Sequence, residues 1–258
     1  MSDAYAKRAL ITGASMGLGE ALALQLSAQG WHLTTIDREA DALAGHDPTP
    51  DHIYIQCNLS DATAVDALVE QLSSGAAFDL VIMNAATSAS GKFENMPFSA
   101  YQKLVALNAE TPMVMAADLG SKNKFTKGAN LVFISSLSHY TGYPGASVYA
   151  ATKDAIAVYA KSIRKPFAKR GISVSCVFPG PLKTSQAERH SPRGAKAEKR
   201  MSPEEAARLI LKNVFSGRHL IMPGAGSKTF ALFGKLLPSI ADRVMRKIIY
   251  EKLDRDVY

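Results

Sequence analysis

The stretch that decides the fold is Arg8-Ala9-Leu10-Ile11-Thr12-Gly13-Ala14-Ser15-Met16-Gly17-Leu18-Gly19, an apolar run that passes directly into a glycine-rich turn. A helical pattern begins at the last glycine and continues to Gln29. Glycines permit a tight turn and let the backbone approach a pyrophosphate, and the N-terminus of the helix stabilises its charge. The position of this turn at the first strand-to-helix junction predicts a dinucleotide-binding unit.

The rest of the chain repeats this alternation of short apolar runs with longer helical segments. Several runs are apolar throughout, as is typical of strands buried on both faces. The pattern predicts an α/β fold with a single Rossmann-type, doubly wound parallel sheet of about seven strands, helices on both faces and a C-terminal helical extension. The predicted strands are Arg8–Thr12, His32–Ile36, His52–Ile55, Leu80–Met83, Asn130–Ile134, Ser173–Phe178 and His219–Met222; the predicted helices are Gly19–Gln29, Ala62–Ser73, Ser99–Leu119, Val148–Lys169 and Pro203–Phe215.

The chain is interpreted as one domain, because no linker, repeat or low-complexity segment interrupts the pattern. Residues 1–226 form the predicted dinucleotide-binding catalytic part, and residues 227–258 form an amphipathic helical extension of it. The helix from Pro203 has clear end signals: Ser202 is the predicted N-cap, Glu205 completes a capping box and Gly217 follows the helix.

Composition is ordinary for a globular protein, with 47% hydrophobic and 21% charged residues. The net charge of +7 is concentrated between residues 189 and 200, where five basic residues face one acidic residue. This distribution argues against a dedicated nucleic-acid face. Cys57 and Cys176 have no metal-ligand or disulfide spacing, so no metal is expected. The N-terminal residues lack the plan of a signal peptide and no apolar run is long enough to span a membrane, which predicts a cytoplasmic location.

Tyr149 and Lys153 lie four residues apart, and therefore one turn apart on the same face of a predicted helix. A free phenol has a pKa near 10, and a nearby ammonium group favours the phenolate. A tyrosine tuned in this way can act as a general acid or base. Ser136, thirteen residues upstream, ends an apolar run and supplies a hydroxyl; its neighbour Ser135 is expected to face the other way.

Asp37 ends the second predicted strand, eighteen residues after Gly19. A carboxylate there can accept hydrogen bonds from both adenosine ribose hydroxyls and would repel a 2′-phosphate, which favours NAD over NADP. Met16 supports NAD, because it places no basic residue in the turn. Arg38 leaves NADP as an alternative cofactor, since a guanidinium beside the ribose can bind a 2′-phosphate.

Together these motifs resemble the short-chain dehydrogenase/reductase family, from about Lys7 to about Pro223. The resemblance implies that Ser136 donates to the substrate oxygen, that Tyr149 exchanges the proton, that Lys153 holds the nicotinamide ribose and that Asn108 positions a water in a relay to Lys153. It also implies cofactor contacts from the glycine turn and from five further segments. The implied cofactor-binding residues are Gly13, Ser15, Met16, Gly17, Leu18, Gly19, Asp37, Arg38, Asn58, Leu59, Asn84, Ala85, Ala86, Tyr149, Lys153, Pro179, Gly180, Leu182 and Thr184.

The sequence departs from the family pattern at three positions. Ala86 replaces the usual glycine of the Asn-Ala-Gly element. Asn58 replaces an aspartate that faces adenine, although an amide can still donate and accept there. Pro166 falls within the helix that carries Tyr149 and Lys153, and is expected to kink it beyond the catalytic end.

The resemblance predicts an NAD(P)-dependent oxidoreductase that transfers a hydride between the nicotinamide and a secondary alcohol or ketone, including 3-oxoacyl-type substrates. Two alternatives stay open: a cofactor-binding relative without enzymatic activity, and another chemistry on the same fold, such as epimerisation. The family also implies a homodimer or homotetramer. The substrate and the direction of the reaction are not determined by the motifs.

Two segments outside the motifs have more than one interpretation. The basic segment from Ser185 to Arg200 is expected to be a substrate loop that is either simply solvated or attracts an anionic substrate. His139, after the catalytic serine, is expected to be a pocket-wall residue or a second proton donor. In the extension, Phe230, Phe233 and Leu237 share one helical face. Ile240, Val244 and Ile248 share another, which can include Met245, and basic residues lie among them. These faces are expected to pack on the body or a partner subunit, with peripheral membrane contact as the alternative.

Overall fold

The computed structural model of the chain describes residues 6–44, 52–191, 198, 200–253 and 256–258. Within these ranges, seven strands form one parallel sheet. They are β1 (Arg8–Thr12), β2 (His32–Asp37), β3 (Ile53–Gln56), β4 (Phe78–Met83), β5 (Phe125–Ile134), β6 (Ser173–Val177) and β7 (Leu220–Ile221). Their order across the sheet is β3-β2-β1-β4-β5-β6-β7. Successive strands are added toward one edge from β1 to β3 and toward the other edge from β4 to β7. The carboxyl ends of β1 and β4, at this switch in strand order, form the crevice in which such sheets bind ligands.

Helices cover both faces of the sheet. The α-helices are α1 (Gly17–Ser27), α2 (Ala62–Ser74), α3 (Phe98–Val105), α4 (Thr111–Ser121), α5 (Ser138–Thr141), α6 (Ser147–Ala168), α7 (Ser185–Arg189), α8 (Pro203–Phe215), α9 (Ala225–Leu236) and α10 (Pro238–Ile248). A π-helical segment, Ala106–Glu110, joins α3 to α4, and short 3-10 turns occupy Phe93–Asn95 and Tyr250–Lys252.

Alternate residues of the central strands enter two separate hydrophobic cores. Leu10 and Leu131 pack on the side that holds α2, α4 and α6. Ile11 and Val132, their neighbours in sequence, pack on the side that holds α1 and α8. Because successive strand residues point to opposite faces, a strand between two helical layers must be apolar at every position. This arrangement confirms the predicted doubly wound α/β fold.

The predicted helix Ser99–Leu119 is the clearest difference between the sequence patterns and the structure. It is divided into α3, the π-helical segment and α4. Pro112 lies in the first turn of α4 and has no backbone N–H, so the ordinary i to i−4 ladder cannot continue through it. Instead, the N–H of Thr111 donates to the carbonyl of Ala106, five residues earlier. In α6, by contrast, the helix continues past Pro166 to Ala168.

The C-terminal extension packs against the body through small residues. Ala231, Gly234, Ala241 and Met245 are buried, and α9 and α10 both contact α5. A Cβ atom at Gly234 would lie 2.4 Å from the carbonyl oxygen of Tyr140, so only glycine permits this approach. Of the residues predicted to dock, Met245 is buried and Phe230 packs against the core, whereas the side chains of Ile240, Val244 and Ile248 are exposed in the single chain. No helix among the described residues has both the length and the apolar character required to cross a membrane.

Candidate active site

The glycine turn between β1 and α1 is fixed by Asn84, which follows β4. The side-chain amide of Asn84 donates to the carbonyl oxygens of Thr12 at 3.0 Å and Gly13 at 2.9 Å. In return, the hydroxyl of Thr12 accepts from the backbone N–H groups of Asn84 and Ala85. The glycine turn is therefore hydrogen-bonded directly to the Asn84-Ala85-Ala86 segment.

Two glycines of the turn are required by close packing. A Cβ atom at Gly19 would lie 1.9 Å from the carbonyl oxygen of Gly13, and one at Gly13 would lie 2.7 Å from the Cα atom of Ala85. Gly13 also has a φ of 69°, in the left-handed region that side chains disfavour. Any larger residue at either position would force β1, α1 and the Asn84 segment apart.

The beginning of α1 suits a dinucleotide phosphate. The helix starts at Gly17, and the preceding Met16 supplies no side-chain cap to the first-turn N–H groups. Such groups, at the positive end of the helix dipole, bind anions. Met16 is half exposed beside them and Leu18 is buried. These residues fit a nicotinamide dinucleotide whose pyrophosphate lies against the turn.

Asp37 lies at the end of β2 next to this turn. Its carboxylate accepts from the backbone N–H of Ser15 at 2.9 Å, of Arg38 at 2.7 Å and of Glu39 at 3.2 Å. Three donors hold the carboxylate beside the position where an adenosine ribose would lie in such a complex. The guanidinium of Arg38 forms an exposed ion pair with Glu39 at 3.0 Å. The ribose end of the site thus carries two carboxylates against one arginine.

The predicted adenine-side residues follow β3. Asn58 is exposed, and its side-chain oxygen accepts from the backbone N–H and the hydroxyl of Ser60. Leu59 is buried, and its carbonyl accepts from the hydroxyl of Thr111 at 2.7 Å. Asn58 is therefore held in an Asx-type turn after β3.

The two serines after β5 have different partners. The hydroxyl of Ser135 is buried and donates to the carbonyl of Lys153 at 2.7 Å, which ties the end of β5 to α6. The hydroxyl of Ser136 accepts from the backbone N–H of Ser138 at 3.2 Å and hydrogen-bonds to Tyr149. Ser136 is therefore the serine that shares a site with the tyrosine.

Tyr149 lies in the first turn of α6, and Lys153 follows one turn later. The ammonium group of Lys153 is buried and donates to the carbonyl of Ile134 at 2.9 Å. It lies 5.9 Å from the centroid of the Tyr149 ring. One side chain at the end of β5 and two on α6 thus form a compact Ser136–Tyr149–Lys153 group.

The pKa values of this group are set mainly by burial. Burial raises the pKa of Tyr149 to about 12, against the opposing effect of its hydrogen bond with Ser136. Burial also lowers the pKa of Lys153 to about 8, against the opposing effect of Cys176. The predicted lowering of the phenol pKa by Lys153 is thus not the dominant effect, because desolvation disfavours both charged forms. At neutral pH the tyrosine is protonated and most Lys153 side chains are cationic.

Asn108 lies in the π-helical segment, and its side chain is fully engaged. Its amide nitrogen donates to the carbonyl of Thr87 at 2.8 Å and to the hydroxyl of Thr152 at 3.2 Å, and its oxygen accepts from the N–H of Thr87. In a regular α-helix the N–H of residue 112 would donate to the carbonyl of Asn108. Pro112 has no N–H, so this carbonyl lacks its α-helical donor.

The segment after β6 closes the crevice from the other side. Pro179 accepts from the N–H of Leu137, and Leu182 is buried. Thr184 caps α7, because its hydroxyl accepts from the N–H of Ala187. A Cβ atom at Gly17 would lie 3.1 Å from the methyl group of Thr184. The Pro179–Thr184 segment, which includes Gly180, therefore contacts the glycine turn across the crevice.

The C-terminal residues 256–258 contact the loop that follows β4. The sequence patterns did not predict this contact. Ser90 and Val257 exchange two backbone hydrogen bonds of 2.9 and 2.7 Å. The carboxylate of Asp256 accepts from the N–H of Lys92 and from the amide of Asn95. These bonds lower the pKa of Asp256. Thr87, which holds Asn108, belongs to the same loop, so the chain end supports the rim of the site.

The basic loop is described only in part. Arg189 belongs to α7, whereas Arg193, Lys196 and Lys199 lie outside the described residues. The guanidinium of Arg200 donates to the hydroxyl of Ser191 at 2.6 Å. The Nδ1 atom of His139 contacts the carboxylate of Asp154, and its ring lies 5.2 Å from the ring of Phe178. This contact supports the interpretation of His139 as a wall residue.

Sequence comparisons place this geometry among known proteins. A family model described as short chain dehydrogenase matches residues 7–194. A 3-oxoacyl-[acyl-carrier-protein] reductase from Synechocystis is 28% identical over 195 residues, covering 73% of this chain and 79% of that protein. An uncharacterized oxidoreductase from Myxococcus xanthus is 25% identical and covers 71% of this chain and 75% of that protein.

Solved structures share the fold over most of the chain. A short-chain dehydrogenase from Streptomyces avermitilis has a TM-score of 0.79 at 24% identity and covers 98% of this chain and 100% of that one. A short-chain dehydrogenase from Sphingobium yanoikuyae in complex with NADPH has a TM-score of 0.76 at 23% identity, with coverages of 92% and 96%. Since the family model spans most of the sequence, the chain belongs to the short-chain dehydrogenase/reductase family of oxidoreductases.

Proposed function

We propose that this oxidoreductase interconverts a ketone and a secondary alcohol with a nicotinamide cofactor, and that it accepts 3-oxoacyl thioesters among its ketones. The observation that carries this proposal is the convergence of three side chains: the buried ammonium of Lys153 lies 5.9 Å from the centroid of the Tyr149 ring, and Ser136 interacts with Tyr149 from the end of β5. The thioester class is suggested by the Synechocystis relative, whose name describes a 3-oxoacyl reductase.

The nicotinamide, when bound, supplies or accepts the hydride, and the chain positions it. The glycine turn would hold the pyrophosphate, Asp37 the adenosine ribose, and Lys153 with Tyr149 the nicotinamide ribose. Pro179, Gly180 and Thr184 would contact the nicotinamide amide, as the family resemblance implies. Every one of these groups lies at the carboxyl edge of the sheet or at the start of α1 or α6.

Proton transfer is assigned to Tyr149. In the reductive direction the protonated phenol donates to the developing alkoxide, while the hydroxyl of Ser136 donates a hydrogen bond to the same oxygen. The resting protonation state of Tyr149 favours this direction, because its raised pKa keeps the proton available at neutral pH. The cationic Lys153 stabilises the phenolate that the transfer leaves behind.

Replacement of the proton is assigned to a relay through Asn108. Its side chain is committed to Thr87 and Thr152, so we assign this role to its backbone carbonyl, which Pro112 deprives of an α-helical donor. We infer that this carbonyl orients a water toward the ammonium of Lys153. The π-helical segment is then a functional element, as such segments often are.

The cofactor is proposed to be NAD(H) in preference to NADP(H). Asp37 and Glu39 place two carboxylates at the ribose end, and Arg38 is paired with Glu39. A 2′-phosphate would meet net negative charge there. We expect Asp37→Ala to shift the ratio of kcat/KM toward NADPH by roughly tenfold or more. Arg38→Ala is the matched control and should lower use of NADPH further; an unchanged ratio in the Asp37 variant would oppose the assignment.

The main test is turnover of the purified full chain with NADH and NADPH over a panel of 3-oxoacyl thioesters, simple ketones and secondary alcohols. Tyr149→Phe should lower kcat by about 10²–10⁴, while cofactor binding, measured by fluorescence of the reduced nicotinamide, persists. Tyr143→Phe is the matched control because Tyr143 is a nearby tyrosine without the Ser136 bond. Near-full turnover by Tyr149→Phe would overturn the mechanism, and cofactor binding without any turnover would favour a non-enzymatic relative.

A further inference from the structure

The C-terminal helices dock on the body through one face and leave a second apolar face uncovered. The docked face consists of small or flexible residues, including Gly234, Ala241 and Met245. The uncovered face, here called the C-terminal apolar stripe, has six aliphatic side chains between 39% and 65% exposed. They are Leu232, Leu236, Leu237, Ile240, Val244 and Ile248.

The stripe is continuous along the sequence of both helices. Leu232 and Leu236 are one turn apart on α9, Leu237 lies at the junction before Pro238, and Ile240, Val244 and Ile248 follow at one-turn spacing on α10. Side chains at this spacing lie above one another on a helix surface. Scattered exposed aliphatic residues are common, but a regular row of them marks an interaction surface.

Basic residues border the stripe. On α10, Arg243 and Lys247 each precede a stripe residue by one position, on the side away from the docked Ala241 and Met245. Residues 225–253 contain six basic and two acidic residues, a net charge of +4. An exposed ion pair between Arg246 and Glu251 at 3.7 Å uses one of the two acidic residues. The surface therefore combines an apolar row with a predominantly positive border.

We propose that the C-terminal apolar stripe docks on the surface of an anionic phospholipid membrane, with α9 and α10 lying in the plane of the headgroups. Aliphatic side chains at one-turn spacing enter the acyl boundary, and flanking arginine and lysine side chains reach the phosphates. A second copy of the chain fits less well, because a two-fold interface would bring one +4 surface against another. This proposal is independent of the substrate and cofactor, so turnover in solution does not test it.

The test is co-sedimentation of the full chain with vesicles of phosphatidylcholine alone or mixed with phosphatidylglycerol. We expect partitioning onto the anionic vesicles to exceed that onto neutral ones by roughly tenfold or more, and to weaken as salt is added. The double variants Ile240→Glu with Val244→Glu, and Arg243→Glu with Lys247→Glu, should each lower anionic partitioning by roughly tenfold or more. Turnover without vesicles should stay near the wild-type value, which confirms that the variants are folded.

Matched controls lie on α6. Val158 is a 55% exposed helical valine, and Lys161 and Lys165 are exposed lysines one turn apart. Val158→Glu, and Lys161→Glu with Lys165→Glu, should leave vesicle partitioning within about twofold of wild type. Equal losses in control and stripe variants, or no binding of the wild type to anionic vesicles, would overturn the proposal. Light scattering measures the oligomeric state of the same proteins. If the wild type is a dimer that does not bind vesicles, and only the stripe variants are monomers, the stripe is the contact surface for a second copy of the chain.

Discussion

The catalytic crevice and the C-terminal extension depart from the usual burial rule in opposite ways. In the crevice, polar groups are buried: Lys153, Asn108 and Ser135 are each at most 3% exposed. In the extension, aliphatic groups are exposed, and Leu236 reaches 65%. Burying a polar group and exposing a large apolar one both cost free energy relative to the alternative. Each departure therefore marks a place where the sequence serves a task other than folding.

The two regions also differ in how their deviations are compensated. Two buried polar groups of the crevice have defined partners within the chain: the carbonyl of Ile134 for Lys153, and Thr87 with Thr152 for Asn108. The aliphatic row of the extension has no comparable protein cover in the described structure. Hydrogen bonds within the chain hold the polar side chains of the site in a fixed, preorganised arrangement. An exposed apolar row, by contrast, marks a surface that binds another molecule.

The largest expected effect comes from removing the buried charge of the crevice. Lys153→Met should lower kcat by roughly 10²–10⁴, because the phenolate and the relay lose their cation. The free energy of unfolding should not fall, since an apolar side chain of similar length avoids the desolvation cost of the ammonium. Turnover and denaturant unfolding of the same sample check both expectations. A variant that is strongly destabilised would show instead that Lys153 is there for the fold.

Titration of the same variant pair gives an independent check. Burial lowers the pKa of Lys153 from 10.5 to about 8, so the unfolded chain binds more protons than the folded chain between these values. The contribution of Lys153 to the free energy of unfolding should therefore rise as pH increases from 8 to 10.5. The difference between wild type and Lys153→Met isolates this slope; equal pH dependence in both proteins would contradict the burial of a charged lysine.

The second largest effect should separate the docked and uncovered faces of the extension. Met245 is buried against the body, so Met245→Ala should lower the free energy of unfolding by about 2 kcal/mol or more. Its neighbour Val244 is exposed, and Val244→Ala should change the same quantity by less than about 0.5 kcal/mol. Urea unfolding of the two single variants measures this contrast. Similar losses would mean that the stripe also supports the fold.

A third prediction concerns the pH dependence of the reductive direction. Reduction needs a protonated Tyr149 and a cationic Lys153, with pKa values of about 12 and about 8. As pH rises, Lys153 loses its proton first, so kcat/KM for ketone reduction should be level below pH 7 and fall above about pH 8. Rates with saturating reduced cofactor across this range provide the measurement. A level profile up to pH 10 would exclude Lys153 as the titrating group.

The sequence patterns were sufficient for the sheet and for the identity of the site motifs. Strands buried on both faces are apolar throughout, and the glycine turn, Ser136, Tyr149 and Lys153 occur at fixed distances from strand or helix ends, so local patterns locate them. The docked face of α10 could not be predicted in this way. Ile240, Val244 and Ile248 have helical spacing, and so does the adjacent row Ala241, Met245 and Ile249, so periodicity alone does not indicate which row packs on the body. The close approach of Gly234 to Tyr140 selects the smaller row, and that contact joins residues distant in sequence.

The hydrogen bonds between Asp256 and the loop after β4 could not be predicted from local patterns either, because the bonded residues lie more than 160 positions apart. The π-helical segment is different, because its cause is local. Pro112 was visible in the sequence, but helical periodicity continues across it, and hydrophobic spacing does not report a missing backbone donor. The consequence for Asn108 lies in the backbone hydrogen bonds, which side-chain periodicity does not encode.

The smallest predicted effect tests that consequence. Pro112→Ala restores a backbone N–H four residues after Asn108, where it can donate to the carbonyl that we assign to the relay water. Turnover should fall by roughly three- to tenfold, on the scale of a weakened proton-transfer step, whereas KM for the cofactor should stay unchanged because no cofactor contact is altered. The solvent deuterium isotope effect on kcat should rise, since the weakened relay makes proton delivery slower. Ala109→Gly, in the same π-helical segment, is the matched control: it disturbs the backbone without adding a donor, so it should leave the isotope effect unchanged. An equal rise in both variants would mean that the segment acts through its flexibility, and no rise in either would remove the carbonyl of Asn108 from the relay.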